Sequence, residues 1–238
     1  MSPLDAVAAA LVMLAGCAVQ GAVGFGANLV AAPLLVLIDG RFVPGPTIVA
    51  TGLLNVLVIR REGTGRVDHS VDTAIAGQVV GVLGAGVLLA VVSDELLALL
   101  FAGLVLTAVA LSLAGWHLAK TRPNLVGVGL LSGFMGTVSG IGGPPIALVY
   151  QRADGPTLRS TLARFFTVGN VVAIPTLVLA GRLGWDELPL IAILLPGALA
   201  GYASSGWLAG HLDKRTARPI ILGLSTAAAL AVLVRTLT

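Results

Sequence analysis

The sequence predicts an all-α polytopic membrane protein built from two inverted repeats, each a broken or re-entrant helical hairpin followed by three transmembrane helices. Three observations lead there. The chain is 57% apolar and 11% charged, with a mean hydropathy of +1.00, whereas soluble domains carry about 25% charge. Apolar runs recur from end to end, most of them near the length that a bilayer demands. Glycine motifs of the first half return in the second in the same order. There is no soluble basic face, which excludes a nucleic-acid partner. Membrane lipid is the expected neighbour.

The apolar segments run 4–20, 24–38, 44–59, 71–92 and 96–118, then 124–139, 144–150, 162–180, 188–209 and 219–237. They fall into one integral membrane domain of two repeats, 1–118 and 119–238. Gly24-Phe25-Gly26 and Gly140-Ile141-Gly142 are offset by 116 residues, as are Gly81 and Gly197. Asn55 and Asn170 are offset by 115, Asp94 and Asp213 by 119, and Gly103 and Gly223 by 120. The start, Met1-Ser2-Pro3-Leu4-Asp5, lacks a basic region, so the first segment is expected to stay in place as a span. Small residues in GxxxG spacing, such as Gly77/Gly81, Gly129/Gly133 and Gly197/Gly201, suit close helix packing. Those faces also leave a homodimer possible. The lone Cys17, in an apolar run, reads as a small core filler.

Charge gives the topology. Eleven of the fourteen Lys and Arg residues lie in four connections: Arg60, Arg61 and Arg66; Lys120 and Arg122; Arg152, Arg159 and Arg164; Lys214, Arg215 and Arg218. The alternate connections hold Asp39 and Arg41, then Asp94 and Glu95, then Arg182, Asp186 and Glu187. The positive-inside rule puts the four basic connections in the cytoplasm of an inner (cell) membrane protein, with both termini outside. The arm 144–150 is about 10 Å long, too short for a core of about 30 Å. Its hairpin is therefore re-entrant, with the tip at 140–143. The first hairpin has its tip at 20–26. Two full-length arms there would give the same parity, so charge leaves that choice open.

The tips carry the chemistry. Between Asn124 and Arg152 there is no charge, yet Ser139-Gly140-Ile141-Gly142-Gly143-Pro144-Pro145 interrupts the helix. Non-helical backbone at membrane depth must be buried or line a cavity. Each returning arm starts with unpaired amides and the positive end of a helix dipole. Two such ends, at Gly26–Asn28 and Gly142–Gly143, make an anion site if they face one another. Gln20, Asn28, Thr137 and Ser139 are the polar side chains beside the tips, and Asn55 and Asn170 sit at matched places in later crossings. Arg164 is the best fixed cation for such a site; its other reading is an interfacial arginine, as is Arg41's. No carboxylate falls mid-span, which favours passive export or coupling through protonation of the anion itself. Asp72 and Asp186, at the starts of matched crossings, are the one plausible titrating pair for coupling; their other reading is helix capping. His69, His117 and His211 have no metal-site spacing, and no cofactor is expected.

At these residues the chain resembles the TauE/SafE family. Gly21-Ala22-Val23-Gly24-Phe25-Gly26, with Pro33 seven residues on, looks like its first signature. Gly136-Thr137-Val138-Ser139-Gly140-Ile141-Gly142-Gly143-Pro144-Pro145 looks like its second, and the resemblance covers essentially the whole chain. Its members are described as exporters of sulfite and sulfoacetate and carriers of related organosulfur anions. The resemblance implies a secondary transporter of the exporter type for such anions, not an enzyme. It carries over only these glycines, as substrate-site residues, and Pro33, Pro144 and Pro145 as hinges. The first half has Asn28-Leu29 where Pro144-Pro145 stand, so the two tips differ chemically. Two other readings stay open on the residues alone. The same helix ends suit an anion channel. Ser204 and His211 offer the parts of an intramembrane serine hydrolase, but they stand about two helical turns apart with no third group.

Overall fold

Every regular element among the described residues of the computed structural model is a helix. The structure describes residues 1–114 and 116–211, with 222, 223, 225–228, 230, 231 and 234 of the last segment. The rest of the expected span 219–237, Asp213 and the basic connection at Lys214, Arg215 and Arg218 lie outside the described residues, as does the His211 side chain.

The first hairpin is α1 (Pro3–Val23) and α2 (Ala27–Ile38); α3 (Gly45–Glu62), α4 (Val71–Val91) and α5 (Asp94–Ala114) follow. The second is α6 (Arg122–Ser139) and α7 (Gly143–Tyr150), followed by α8 (Gly155–Leu179) and α9 (Leu188–His211). The starts have local causes. Ser2 accepts from the Asp5 amide and Pro3 sits in the first turn of α1. Thr121 caps α6 and Asp154 caps α8 in the same way, each followed by a proline. Five of the described helices are long and apolar enough to cross a membrane.

Both hairpins pair a long arm with a short one. The 21 residues of α1 and 18 of α6 give about 31 and 27 Å, whereas the 12 of α2 and 8 of α7 give about 18 and 12 Å. Two full-length arms in the first half are thereby ruled out, because α2 is too short. One boundary moves substantially. The expected connection 151–161 shrinks to 151–154, because the Asp154 cap and Pro156 start α8 early. Arg159 and Arg164 are therefore helical.

The alternating charge of the connections becomes two ends of the molecule. At the basic end Arg61, Glu62 and Arg159 form ion pairs, and Lys120 pairs with Asp68. At the opposite end Asp39, Arg41, Asp94, Arg182 and Glu187 line one opening of about 420 Å³.

In the packing, α1 lies along α9, α6 along α4, and α3 against α8. Glycine makes these approaches possible. A β-carbon on Gly77 or Gly81 would stand 2.2 or 2.1 Å from the Val126 or Leu130 carbonyl oxygen, and one on Gly197 or Gly201 would stand 2.1 or 2.5 Å from that of Ala10 or Leu14. Val126 and Leu130 are themselves offset by 116 from Ala10 and Leu14. Matched by what they touch, Gly77 goes with Gly197 and Gly81 with Gly201, an offset of 120. The sequence pairing of Gly81 with Gly197 was one helical turn out of register. Cys17 is fully buried in the α1–α9 core, as a filler should be.

Candidate functional site

The two breaks are built by glycine backbone. Gly24 (φ 108°), Gly26 (φ 109°) and Gly140 (φ 76°) adopt left-handed conformations that side chains disfavour. Gly24 ends α1 by donating its amide to the Gln20 carbonyl at 2.6 Å, and Gly140 ends α6 by donating to Gly136 at 2.9 Å. The breaks meet. Asn28 Nδ2 donates to the Gly140 carbonyl at 3.0 Å, and the Phe25 ring lies against Gly143.

Between them is a cavity of about 60 Å³. At roughly 10–15 Å³ per water, that is room for about four to six water-sized groups. The breaks contribute Gly26, Asn28, Gly140, Gly142, Gly143 and Pro144. Thr51 and Asn55 come from α3, Gln78 from α4, Ser132, Gly136 and Thr137 from α6, and Phe166, Gly169 and Asn170 from α8. No lining residue among those described is charged. Asn28, Gln78 and Ser132 are 6%, 4% and 2% exposed. Their Oδ1, Oε1 and Oγ atoms are buried with no hydrogen-bond partner among the described residues.

The two helix starts differ. At α2, Gln20 Oε1 accepts from the Ala27 amide at 3.1 Å, and Gln20 Nε2 donates to Asn55 Oδ1 at 2.7 Å. That start is capped from within. At α7 no side chain caps the start, and Gly142 and Gly143 line the cavity. Pro144 and Pro145 have no amide hydrogen. The positive end of a helix dipole thus meets the cavity uncapped on one side only, where the sequence led us to expect two.

Ten of the fifteen sequence candidates line the cavity: Gln20, Gly26, Asn28, Asn55, Thr137, Gly140, Gly142, Gly143, Pro144 and Asn170. Gly24 packs instead on the Arg159 backbone. Ser139 serves the break itself, donating to the Met135 carbonyl and accepting from the Ile141 amide. Pro145 is buried within α7, and Pro33 within α2, which runs on through it. Arg164 bonds Asp72 Oδ1 at 2.8 Å with 40% of its side chain exposed, and does not line the cavity. Ser204 bonds its own helix at the Gly201 carbonyl.

Sequence reasoning missed Gln78, Ser132 and Thr51. The signal was there for the first two. Gln78 is the one polar side chain between Thr73 and Ser93, and Ser132 the one between Asn124 and Thr137. A lone polar group in mid-span marks a helix face that does not meet lipid. Gly169 makes room for Gln78: a β-carbon there would lie 2.2 Å from Gln78 Nε2.

Toward the basic end stands a cluster of ion pairs and hydrogen bonds. Arg159 forks onto Glu62, Nε to Oε1 at 2.8 Å and Nη2 to Oε2 at 3.1 Å. Arg61 Nη2 donates to the Gly21 carbonyl at 2.6 Å and Nη1 to Ser205 Oγ at 2.7 Å. This cluster covers the last turn of α1, just before Phe25. Toward the other end, Val138 follows the cavity's Thr137 and lines the wide opening.

Comparison with known families gives a match over residues 8–232 to the one described as Sulfite exporter TauE/SafE. No curated protein and no solved structure matches the chain.

Proposed function

The chain belongs to the TauE/SafE family, a family of membrane transporters and not of enzymes, and on that premise we propose that it exports a small sulfur-containing anion by alternating access around the cavity between the two helix breaks. The observation that carries the reading is the uncapped start of α7 opening on a polar, uncharged cavity of about 60 Å³. Helix-end amides and dipole attract an anion, and the cavity size suits an ion of four or five heavy atoms such as sulfite. A longer organosulfonate fits only if the wide opening accepts its tail.

Two features support alternating access in the same reading. In this reading the Glu62–Arg159 pair is the closure at the basic end, and the wide opening at the other end serves as the vestibule. The exchanged packing, α1 on α9 and α6 on α4, is what two inverted, related halves would produce, and relative rocking of such halves moves access from one end to the other. By the positive-inside rule the basic end is cytoplasmic.

The test is counterflow in proteoliposomes with sulfite, sulfate, thiosulfate and a short sulfonate. Saturable exchange of one or more of these ions is expected. Unitary currents without counterflow would replace the carrier by a channel, and no flux of any of the four would refute the anion assignment.

A further inference from the structure

We propose that the cavity selects an oxyanion that carries one charge and one proton, so that a sulfite-type substrate crosses as hydrogen sulfite and takes its proton with it. The inference rests on the cavity being the transport site. Its anchor is the orientation of Asn28. Amide oxygen and nitrogen are easily exchanged in assignment, but here Nδ2 donates to the Gly140 carbonyl, which can only accept. Turning the amide over would set two oxygens against each other. Oδ1 is therefore fixed as an acceptor on a side chain that lines the cavity, buried and without a partner among the described residues. An unpaired acceptor repels a fully deprotonated oxyanion and is satisfied by a hydroxyl donor on the guest. Gln78 differs: no hydrogen bond among the described residues fixes which way its amide lies, and Ser132 Oγ can donate or accept. The site thus has the uncapped start of α7 on one side and an oxygen that can only accept on the α2 side.

Charge points the same way. Born desolvation grows with the square of the charge, so a dianion loses about four times as much hydration free energy as a monoanion on entry. Among the described residues no cation lines the cavity to offset that. The ionisable groups on the surrounding helices are Asp5 and Cys17 on α1, Arg60, Arg61 and Glu62 on α3, and Asp72 on α4. The remainder are Arg122 on α6, Tyr150 on α7, and Arg159 and Arg164 on α8, with none on α2. None of them is a lining residue, so the titrating group in this proposal is the substrate itself. The proton is carried, not transferred: no bond to the protein forms or breaks.

The experiment is calorimetric titration of the purified full chain with sulfite over a pH series spanning sulfite's second ionisation, beside methanesulfonate and sulfate. Methanesulfonate is a monoanion without a proton, and sulfate is a dianion throughout. The expected result is a constant affinity for total sulfite below that ionisation and a fall of about tenfold per pH unit above it, as the competent fraction of ligand falls. Methanesulfonate should bind more weakly and without pH dependence, and sulfate most weakly. Asn28→Leu should bring sulfite down to the methanesulfonate level; if that variant does not fold, the wild-type series decides. A sulfite affinity that stays flat or rises through the ionisation overturns the protonated guest and leaves the anion site standing. No binding of any of the three ions at any pH overturns both readings.

Discussion

Gln20 and Gly136 stand at matched places, 116 residues apart, one turn before the two breaks. The Gln20 side chain fills the first break and caps Ala27; at the second, Gly136 has no side chain and the cavity lies there. Gly136→Gln should therefore fill the cavity and cap Gly143 as Gln20 caps Ala27. A β-carbon at Gly136 meets only Gly142, at 3.4 Å, an ordinary contact. We expect anion affinity to fall at least about tenfold, 1.4 kcal/mol, with thermal unfolding unchanged or raised; calorimetry and a melting curve check both. Conversely, Gln20→Leu leaves the Ala27 amide and Asn55 Oδ1 buried and unpaired. At about 1–3 kcal/mol for each such group, it should lower the melting temperature. Gly142→Leu is the poorer probe, because its β-carbon would already stand 2.6 Å from the Ser132 carbonyl. Arg164→Ala, outside the cavity, should leave affinity unchanged.

Between helices, the binding force is contact rather than water exclusion, since lipid is as apolar as leucine. The α4–α6 seam depends on Gly77, Gly81, Gly129 and Gly133, each of whose β-carbons would stand about 2 Å from a carbonyl oxygen of the facing helix. Gly84 lies on the same helix with nothing within 4 Å. Gly81→Ala is expected to destabilise by about 1–3 kcal/mol through forced separation. Gly84→Ala should be neutral or stabilise by up to about 1 kcal/mol through helix propensity. Equal melting temperatures for the two variants would refute the seam. Because α6 ends at the second break and α4 carries Gln78, Gly81→Ala should also weaken anion binding.

For the molecule as a whole, the question is which end opens. The Arg159–Glu62 fork ties the start of α8 to the end of α3 over the last turn of α1. Glu62→Gln removes the charge and halves the fork. In a Cys17→Ala background, a cysteine replacing Phe25 should react slowly with a thiol reagent added at the basic end, and several-fold faster once Glu62→Gln is added. An unchanged rate would deny the fork its closing role. A second tie lies in the 67–70 connection. Burial raises the Asp68 carboxyl, but hydrogen bonds from Lys120 and Ser70 outweigh it and hold the group below its usual range. A depressed carboxyl stabilises the fold above its ordinary value, about 3.9, and loses that contribution as pH falls through the depressed one. Stability should be flat near neutrality and fall in acid below about pH 4. Asp68→Asn should lower stability at neutral pH and flatten the acid decline, which thermal scans in detergent at several pH values would show.

By itself the sequence determined the class, the breaks and most of the described segments. Apolar length, charge alternation and left-handed glycines are properties of short stretches, and Gly24, Gly26 and Gly140 are needed wherever the rest of the chain lies. It also carried the difference between the tips, since Gln20 and Gly136 can be compared by eye. Only the tertiary structure decided which groups share the cavity. Gln78 and Ser132 arrive there because α4 and α6 pack glycine to carbonyl, a register set by contacts about fifty residues apart and one turn away from the sequence match. It also turned Arg164 outward to Asp72 and turned Gln20 from a free ligand into a cap. A side chain's role at membrane depth depends on which partner reaches it first, and partners distant in the chain are chosen by packing.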